Sequence, residues 1–136
     1  MDNEIQTRTH PETGEKLERG IRPLLITYKG LDETVNMPGW YPKDSDDGIF
    51  SKDDRKVYGK ALRRLKARYE KLLLPEEIKT VRQQLHLSQE EAGVRIGGGP
   101  RAFQKYESGD VLPSRAISNL LTILAKEPTM LNLLPN

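Results

Sequence analysis

Three consecutive glycines at residues 97–99 place the strongest constraint on how this chain can fold. Glycine is among the poorest residues for a helix interior, so no regular element can run through this point. Apolar residues at helical spacing nevertheless precede and follow the glycines, and Pro100, a residue suited to the first turn of a helix, comes directly after them. The sequence therefore predicts two short helices joined by a sharp glycine turn.

The two helices predicted on either side of the glycines have different faces. The first begins at Ser88, which stands in capping-box spacing with Glu91, and Ala92 is small where a second helix must cross closely. The second directs Phe103 and Tyr106 to one side, which we expect to be core. Its other side carries three polar residues, Arg101, Gln104 and Lys105. This is the pattern of a helix–turn–helix with a polar second helix.

A polar second helix of this kind can read double-stranded DNA. Such a helix enters the major groove, where Arg and Lys donate to guanine and Gln pairs with adenine. We therefore expect Arg101, Gln104 and Lys105 to contact bases. Ser88 and Gln89 begin the first helix, where side chains and free N–H groups favour a phosphate.

Charge is unevenly distributed along the chain. Residues 1–50 hold 6 Lys and Arg against 10 Asp and Glu, residues 51–74 hold 9 against 3, and residues 75–136 hold 7 against 7. The acidic start and the basic middle indicate different partners for different parts of the chain. We expect the basic middle to attract nucleic acid and Arg63 and Arg64 to contact phosphates, although a solvated helix face is the simpler alternative.

The fold class predicted from the pattern is α+β. Residues 22–30 and 33–41 read as strands and residues 5–9 as a weaker third, which suggests a small antiparallel sheet. Ser51, with Asp54 three residues later, starts a helix that runs to residue 73 and is ended by Pro75. We predict a β-rich domain in residues 1–50, a basic connecting helix in 51–73, and an all-α domain of five helices in 74–136.

Composition excludes several classes of protein. The chain has no cysteine and only two histidines, His10 and His86, so we expect no disulfide, no metal site and no cofactor. No apolar run approaches the length of a membrane span, and the first residues lack the apolar core of a secretory signal. We expect a non-enzymatic protein of the bacterial cytoplasm, associated with the nucleoid and not with a membrane.

The segment LSQEEAGVRIGGGPRAFQKYESGDVLPS resembles the helix–turn–helix of the Xre/Cro repressor superfamily. Its glycines, followed by AFQKYESG, resemble more narrowly the C-terminal domain of MqsA-type (YgiT-type) antitoxins of bacterial toxin–antitoxin modules. The resemblance implies base reading by Arg101 and Lys105, where the family usually has Asn and Arg, and a phosphate contact from Arg95. It also implies an ion pair between Arg82 and Glu107.

The resemblance further implies two protein partners. The first is a second copy of the chain, bound through the C-terminal domain so that the homodimer matches a palindromic operator. The residues implied for that interface are Ile117, Leu121, Leu124, Leu131 and Leu134. The second is a toxin, held by the acidic N-terminal domain. The residues expected to bind it are Trp40, Tyr41 and Tyr28, although Trp40 and Tyr41 suit the core of the small sheet equally well.

The N-terminal half departs from the family that it resembles. That family has a zinc domain with two Cys-x-x-Cys pairs, and here His10, Thr13, Pro42 and Ser45 occupy the cysteine positions. None of these residues supplies a thiolate. The resemblance therefore implies a version of the small sheet domain that lacks zinc.

Two other functions remain open from the sequence. One is a prophage or host transcriptional regulator whose N-terminal domain senses a ligand or a protein. The other, which we rank last, is a small enzyme with an appended DNA-binding domain, because residues 1–50 show no nucleophile–base pattern.

Overall fold

The structure, a computed structural model, describes residues 6–135 and has the α+β fold predicted from the sequence. In chain order the elements are β1 (Thr7–Thr9), β2 (Lys16–Tyr28), β3 (Leu31–Pro42), α1 (Lys52–Glu70), α2 (Pro75–Gln84), α3 (Gln89–Arg95), α4 (Ala102–Ser108), α5 (Arg115–Lys126) and a 3-10 helix (Pro128–Leu133). The chain divides within α1 into two compact units, residues 1–62 and 63–136. The separate connecting domain stays a prediction. No helix in the described part of the chain is both long and apolar enough to span a bilayer.

The three strands form one antiparallel sheet in the order β1-β2-β3. β2 begins at Lys16, six residues before its predicted start, because it pairs with β3 continuously from Leu17 opposite Pro42 to Tyr28 opposite Leu31. The weak third strand, predicted over residues 5–9, is confirmed for Thr7–Thr9; Gln6 is not part of it, and residue 5 lies outside the described residues. Lys29 and Gly30, with φ of 47° and 86°, make the two-residue turn whose twist suits a hairpin.

The β2–β3 hairpin, residues 16–42, has two unlike faces. Alternate residues point to opposite sides, and cross-strand partners share a side. The inner face carries Ile26 and Met37, each 3% exposed. The outer face carries Ile21 and Leu25, which are 68% and 61% exposed, together with half-buried Trp40. Apolar side chains therefore stand in water on the outer face.

Helix α1 starts where the sequence predicts and ends earlier. The Ser51 hydroxyl accepts the N–H of Asp54 at 3.1 Å, and the Asp54 carboxylate accepts the N–H of Ser51 at 2.9 Å, which is a reciprocal cap. Lys71 adopts a left-handed φ of 58°, and the Leu72 N–H donates to the Ala67 carbonyl. This closing turn ends the helix at Glu70, so the predicted end at residue 73, set by Pro75, is wrong by one turn.

Asp54 also joins α1 to the sheet of the same unit. Its side chain is 2% exposed and accepts two hydrogen bonds from Arg19, at 2.8 and 2.5 Å. These bonds, and the further ones from Ser51, lower the pKa of Asp54 to about 2. The pair thus ties the start of the helix to β2.

We expect this depressed pKa to make the N-terminal unit sensitive to acid. A carboxyl whose pKa is lower in the folded chain stabilises the fold above its unfolded pKa and loses that effect as the pH falls through its folded pKa. Between pH 4 and 2, Asp54 should therefore withdraw about 2 kcal/mol of stability. Urea unfolding followed by Trp40 fluorescence should show a smaller loss across this range for Asp54→Asn than for the unaltered chain. Equal losses would contradict the assignment.

The C-terminal unit is built around one apolar core. Its buried members are Ile78, Val81, Leu85, Leu87, Ala92, Ile96, Phe103, Tyr106, Leu121, Leu124 and Leu131. Phe103 and Tyr106 meet edge to face with ring centres 5.5 Å apart, a favourable aromatic geometry that confirms their predicted place in the core. The hydroxyls of Ser88 and Ser114 cap α3 and α5, as predicted from the sequence.

Candidate functional site

The turn between α3 and α4 needs glycine for two reasons. Gly97, Gly98 and Gly99 have φ of 139°, 96° and 96°, a region that other residues rarely adopt. A Cβ on Gly98 would also lie 2.7 Å from the Ala102 Cβ and 2.9 Å from the Tyr106 hydroxyl. The conformation and the packing together fix the path by which the chain enters α4.

The close approach between α3 and this turn is made by Gly93. The Gly99 N–H donates to the Gly93 carbonyl at 3.1 Å, and a Cβ on Gly93 would overlap the Gly99 carbonyl oxygen. Ala92, the small residue singled out from the sequence, is fully buried beside it. Gly93 was not singled out from the sequence, although two adjacent small residues in a short helix were a usable signal.

The exposed side of α4 gathers the residues expected to contact bases. Arg101 is the N-cap, so the helix begins at Ala102 and not at Pro100. Arg101, Gln104 and Lys105 are all exposed, whereas Phe103 is fully buried. Arg101 and Gln104 border a surface depression together with Gln89 of α3, and Arg101 and Lys105 border a second one. The structure therefore brings the three base-reading candidates together beside the start of α3.

Glu107, in α4, binds one side chain from α2 and one from α3. Its carboxylate accepts from Arg82 at 2.7 and 2.9 Å and from the Gln89 amide at 3.2 Å. Side-chain exposure is 13% for Arg82 and 6% for Glu107, so the predicted ion pair is confirmed and largely buried. The hydrogen bonds that Arg82 donates to Glu107 raise the pKa of Arg82. Arg82 and Glu107 thus fix the position of Gln89. This contact between Gln89 and Glu107 was not predicted from the sequence.

All five residues expected to contact phosphate make hydrogen bonds within the protein, and the three arginines among them bind its carbonyl or carboxylate groups. Arg63 donates from Nε to the Gly109 carbonyl at 2.7 Å, and Arg95 donates to the Leu131 carbonyl at 3.1 Å. Arg64 makes two hydrogen bonds to Glu76, which lower the pKa of that carboxyl. The Ser88 hydroxyl accepts the Glu91 N–H and the Gln89 amide donates to Glu107. Both residues stand at the start of α3, where they stay candidates for a phosphate contact.

The residues expected at a dimer interface lie in the core of their own unit. Leu121, Leu124 and Leu131 are 0%, 1% and 8% exposed, and Ile117 and Leu134 pack against the same core. The residues that the resemblance implied for an interface are therefore the inward apolar side chains of this part of the chain. The apolar side chains that the same elements expose are Ile123, Met130 and Leu133.

The aromatic residues expected to bind a partner are not together. Tyr41 is buried, donates its hydroxyl to the Met37 carbonyl at 2.7 Å, and has its pKa raised by that burial, so it is a core residue. Trp40 is half-buried, with the guanidinium carbons of Arg8 and Arg19 each 5.5 Å from its ring centre, which is within the range of a cation–π contact. Tyr28 is half-buried at the turn end of the hairpin, whereas Trp40 pairs with Arg19 near the other end.

The residues at the four cysteine positions do not fit a zinc site. Pro42 has no donor in its side chain, and the hydroxyls of Thr13 and Ser45 accept backbone N–H groups within their own turns. Nδ1 of His10 likewise accepts two backbone N–H groups. Among residues 6–135, no three His, Asp or Glu side chains are grouped so that they could hold a metal ion. No step of the function is therefore assigned to zinc.

Comparison with known proteins agrees with this architecture. The family model described as the antitoxin component of bacterial toxin–antitoxin system, MqsA, matches residues 10–134. The chain is also 30% identical over 115 residues to Antitoxin MqsA of Escherichia coli (strain K12), which covers 83% of this chain and 88% of that relative. The chain therefore belongs to the MqsA family, the antitoxin component of bacterial toxin–antitoxin systems.

Proposed function

We propose that this protein is an antitoxin that binds its toxin through the N-terminal unit and represses its own operon through the C-terminal unit. In this proposal α3 and α4 are a helix–turn–helix, and the protein acts as a homodimer on a palindromic operator, without enzymatic activity. The observation that carries the DNA-binding half is the exposed group of Arg101, Gln104 and Lys105 on a helix whose other side is locked into the core.

The proposed DNA contacts follow from that geometry. Helix α4 enters the major groove, where Arg101 and Lys105 donate to guanine and Gln104 pairs with adenine. Ser88 and Gln89 then face the phosphate backbone from the start of α3. Arg63 Nε donates to the carbonyl of Gly109, the residue that follows α4, so Arg63 supports the end of this helix and need not touch DNA.

We expect Arg101→Ala to weaken operator binding by about 1–3 kcal/mol and to relax specificity at one base pair, because a base-reading guanidinium is lost. The matched control is Lys126→Ala, which removes an exposed positive charge from the far end of α5. Fluorescence anisotropy with operator and scrambled duplexes at fixed salt gives both affinities. If the two variants bind the operator equally well, α4 is not the recognition helix.

The proposed toxin surface is the outer face of the hairpin. Antiparallel sheets that face water on one side usually carry polar residues there, but this face exposes Ile21 and Leu25. Trp40 lies on the same face with Arg8 against its ring, and both residue types are frequent anchors of protein interfaces. Exposed Ile21 and Leu25, with an aromatic–cation contact on the same face, suit a protein partner better than solvent.

The toxin surface is tested by Leu25→Asp, which places a charge in the middle of the apolar face. We expect this variant to lose toxin binding while it stays folded, because residue 25 is largely exposed in the free chain. Lys16→Asp is the matched control, since it puts the same residue at an exposed position of the opposite face of β2. Co-purification with the product of the adjoining reading frame is the measurement. If Leu25→Asp co-purifies with that product as well as the unaltered chain does, the toxin does not bind this face.

We assign the interface of the homodimer to the large apolar side chains that α5 and the 3-10 helix expose. These are Ile123, Met130 and Leu133, with exposures of 49%, 43% and 78%. Analytical sedimentation of the Leu133→Asp variant tests this interface, because we expect the variant to be monomeric. A variant that stays dimeric would place the interface elsewhere.

A further inference from the structure

The N-terminal unit has its own means of closing the two turns where its family would place zinc ligands. The first turn, residues 10–15, wraps around a buried imidazole. His10 is 5% exposed, and its Nδ1 accepts the N–H groups of Glu12 and Thr13 at 3.1 and 3.2 Å. The backbone N–H of His10 also donates to the Glu15 carbonyl at 2.8 Å, which closes the turn. One side-chain acceptor thus fixes two backbone donors.

The second turn, residues 42–47, is held by a guanidinium from β2. Arg22 donates to the Pro42 carbonyl at 2.5 Å, and to the Ser45 carbonyl and the Asp46 carboxylate at 2.6 and 3.2 Å. Its Cζ lies 4.5 Å from the centre of the Tyr41 ring. A planar guanidinium with several donors can bind convergent oxygen atoms in this way, and a single ammonium group cannot match its fork geometry. A positive charge therefore lies inside the loop that carries two of the four cysteine positions.

The two turns also face each other. Because Nδ1 of His10 accepts hydrogen bonds, the ring proton of the neutral imidazole is on Nε2. That Nε2 lies 3.8 Å from the Asp47 carboxylate, in the second turn. The imidazole thus contacts both turns, and the guanidinium organises the second one.

We propose that His10 and Arg22 together replace the family's zinc as the clamp of this unit. The imidazole takes the place of a zinc ligand, because its Nδ1 accepts the backbone N–H groups of the first turn. The guanidinium supplies, within the second turn, the positive charge that zinc would supply. Both side chains are covalently part of the chain, so the clamp does not depend on metal supply. The N-terminal unit therefore keeps its structure when zinc is scarce and when thiols are oxidised.

The test is thermal unfolding of the full chain without toxin or DNA, so that its result does not depend on the proposed function. Trp40, the only tryptophan, lies in β3 just before the second turn and reports on this unit. We expect purified protein to contain no stoichiometric zinc and its midpoint to be unchanged by EDTA or by added zinc. Bound zinc, or a lower midpoint in EDTA, would overturn the proposal.

Variants test the two side chains separately. Arg22→Ala should lower the midpoint by about 5 °C or more, and Arg22→Lys by less, because the charge stays and the fork is lost. Lys43→Ala, which removes an exposed charge from the same loop, should not change it. His10→Asn should be milder than His10→Ala, since the Asn oxygen can accept the same N–H groups. The clamp is refuted if Arg22→Ala resembles Lys43→Ala, or if His10→Ala leaves the midpoint unchanged.

Discussion

Replacing Gly93 by alanine is expected to cost the C-terminal unit about 3 kcal/mol or more, enough to unfold it or to separate α3 from the glycine turn. The usual effect of this substitution within a helix is the opposite, a gain of about 1 kcal/mol. Here the added Cβ would overlap the Gly99 carbonyl oxygen and lie 2.8 Å from its carbon and 3.3 Å from the Pro100 Cα. All three are backbone atoms, which cannot rotate away.

The measurement for Gly93→Ala is urea unfolding followed by circular dichroism, with operator binding on the same samples. Val94→Ala is the matched control, because it makes the neighbouring residue of α3 alanine at a position that is 63% exposed. Its stability should change by no more than about 0.5 kcal/mol. Equal stability of the two variants would show that α3 and the turn are not in contact as described.

Glu107→Gln is expected to have a comparably large effect, a loss of about 3–5 kcal/mol, because it leaves the guanidinium of Arg82 buried without a counter-charge. The substitution keeps the shape of the side chain, so the loss is electrostatic. It also changes the partner of the Gln89 amide, which lies beside the residues that we propose to read bases. Operator affinity should therefore fall even under conditions where the variant stays folded.

Two companion variants separate the contributions to this effect. Glu127→Gln removes an exposed carboxylate beyond α5 and should leave both stability and affinity unchanged. Arg82→Met combined with Glu107→Leu removes both charges and should recover most of the stability, since apolar pairs often replace buried ion pairs without loss. The double variant should still bind DNA weakly, because Gln89 no longer has its acceptor. Full recovery of DNA affinity would show that Glu107 does not position Gln89.

Local sequence signals were enough to predict much of the fold. The caps at Ser51, Ser88 and Ser114 each lie within three residues of their partner, so spacing alone reveals them. The end of α1 was missed because Lys71 adopts a left-handed conformation for which lysine gives no warning. The early start of β2 was missed because it depends on pairing with β3, which no local pattern contains.

Predicting the roles of site residues was harder, because one pattern serves several purposes. The stripe of Leu121 and Leu124 has the same spacing whether it faces a second copy or its own core. Arg63 and Arg64 looked like phosphate contacts because charge can be read from sequence, whereas the acceptors that they bind at Gly109 and Glu76 are distant in the chain. The clamp by His10 and Arg22 likewise joins segments that only the sheet brings together.

In the function that we propose, one chain neutralises a toxin with its N-terminal unit and binds DNA with its C-terminal unit. Its most direct test is growth of cells that express the adjoining reading frame together with this chain or with its Leu25→Asp and Arg101→Ala variants. The adjoining product should stop growth, and the unaltered chain and Arg101→Ala should restore it, whereas Leu25→Asp should not. A harmless adjoining product, or arrest that the unaltered chain does not relieve, would contradict the account and favour a stand-alone regulator.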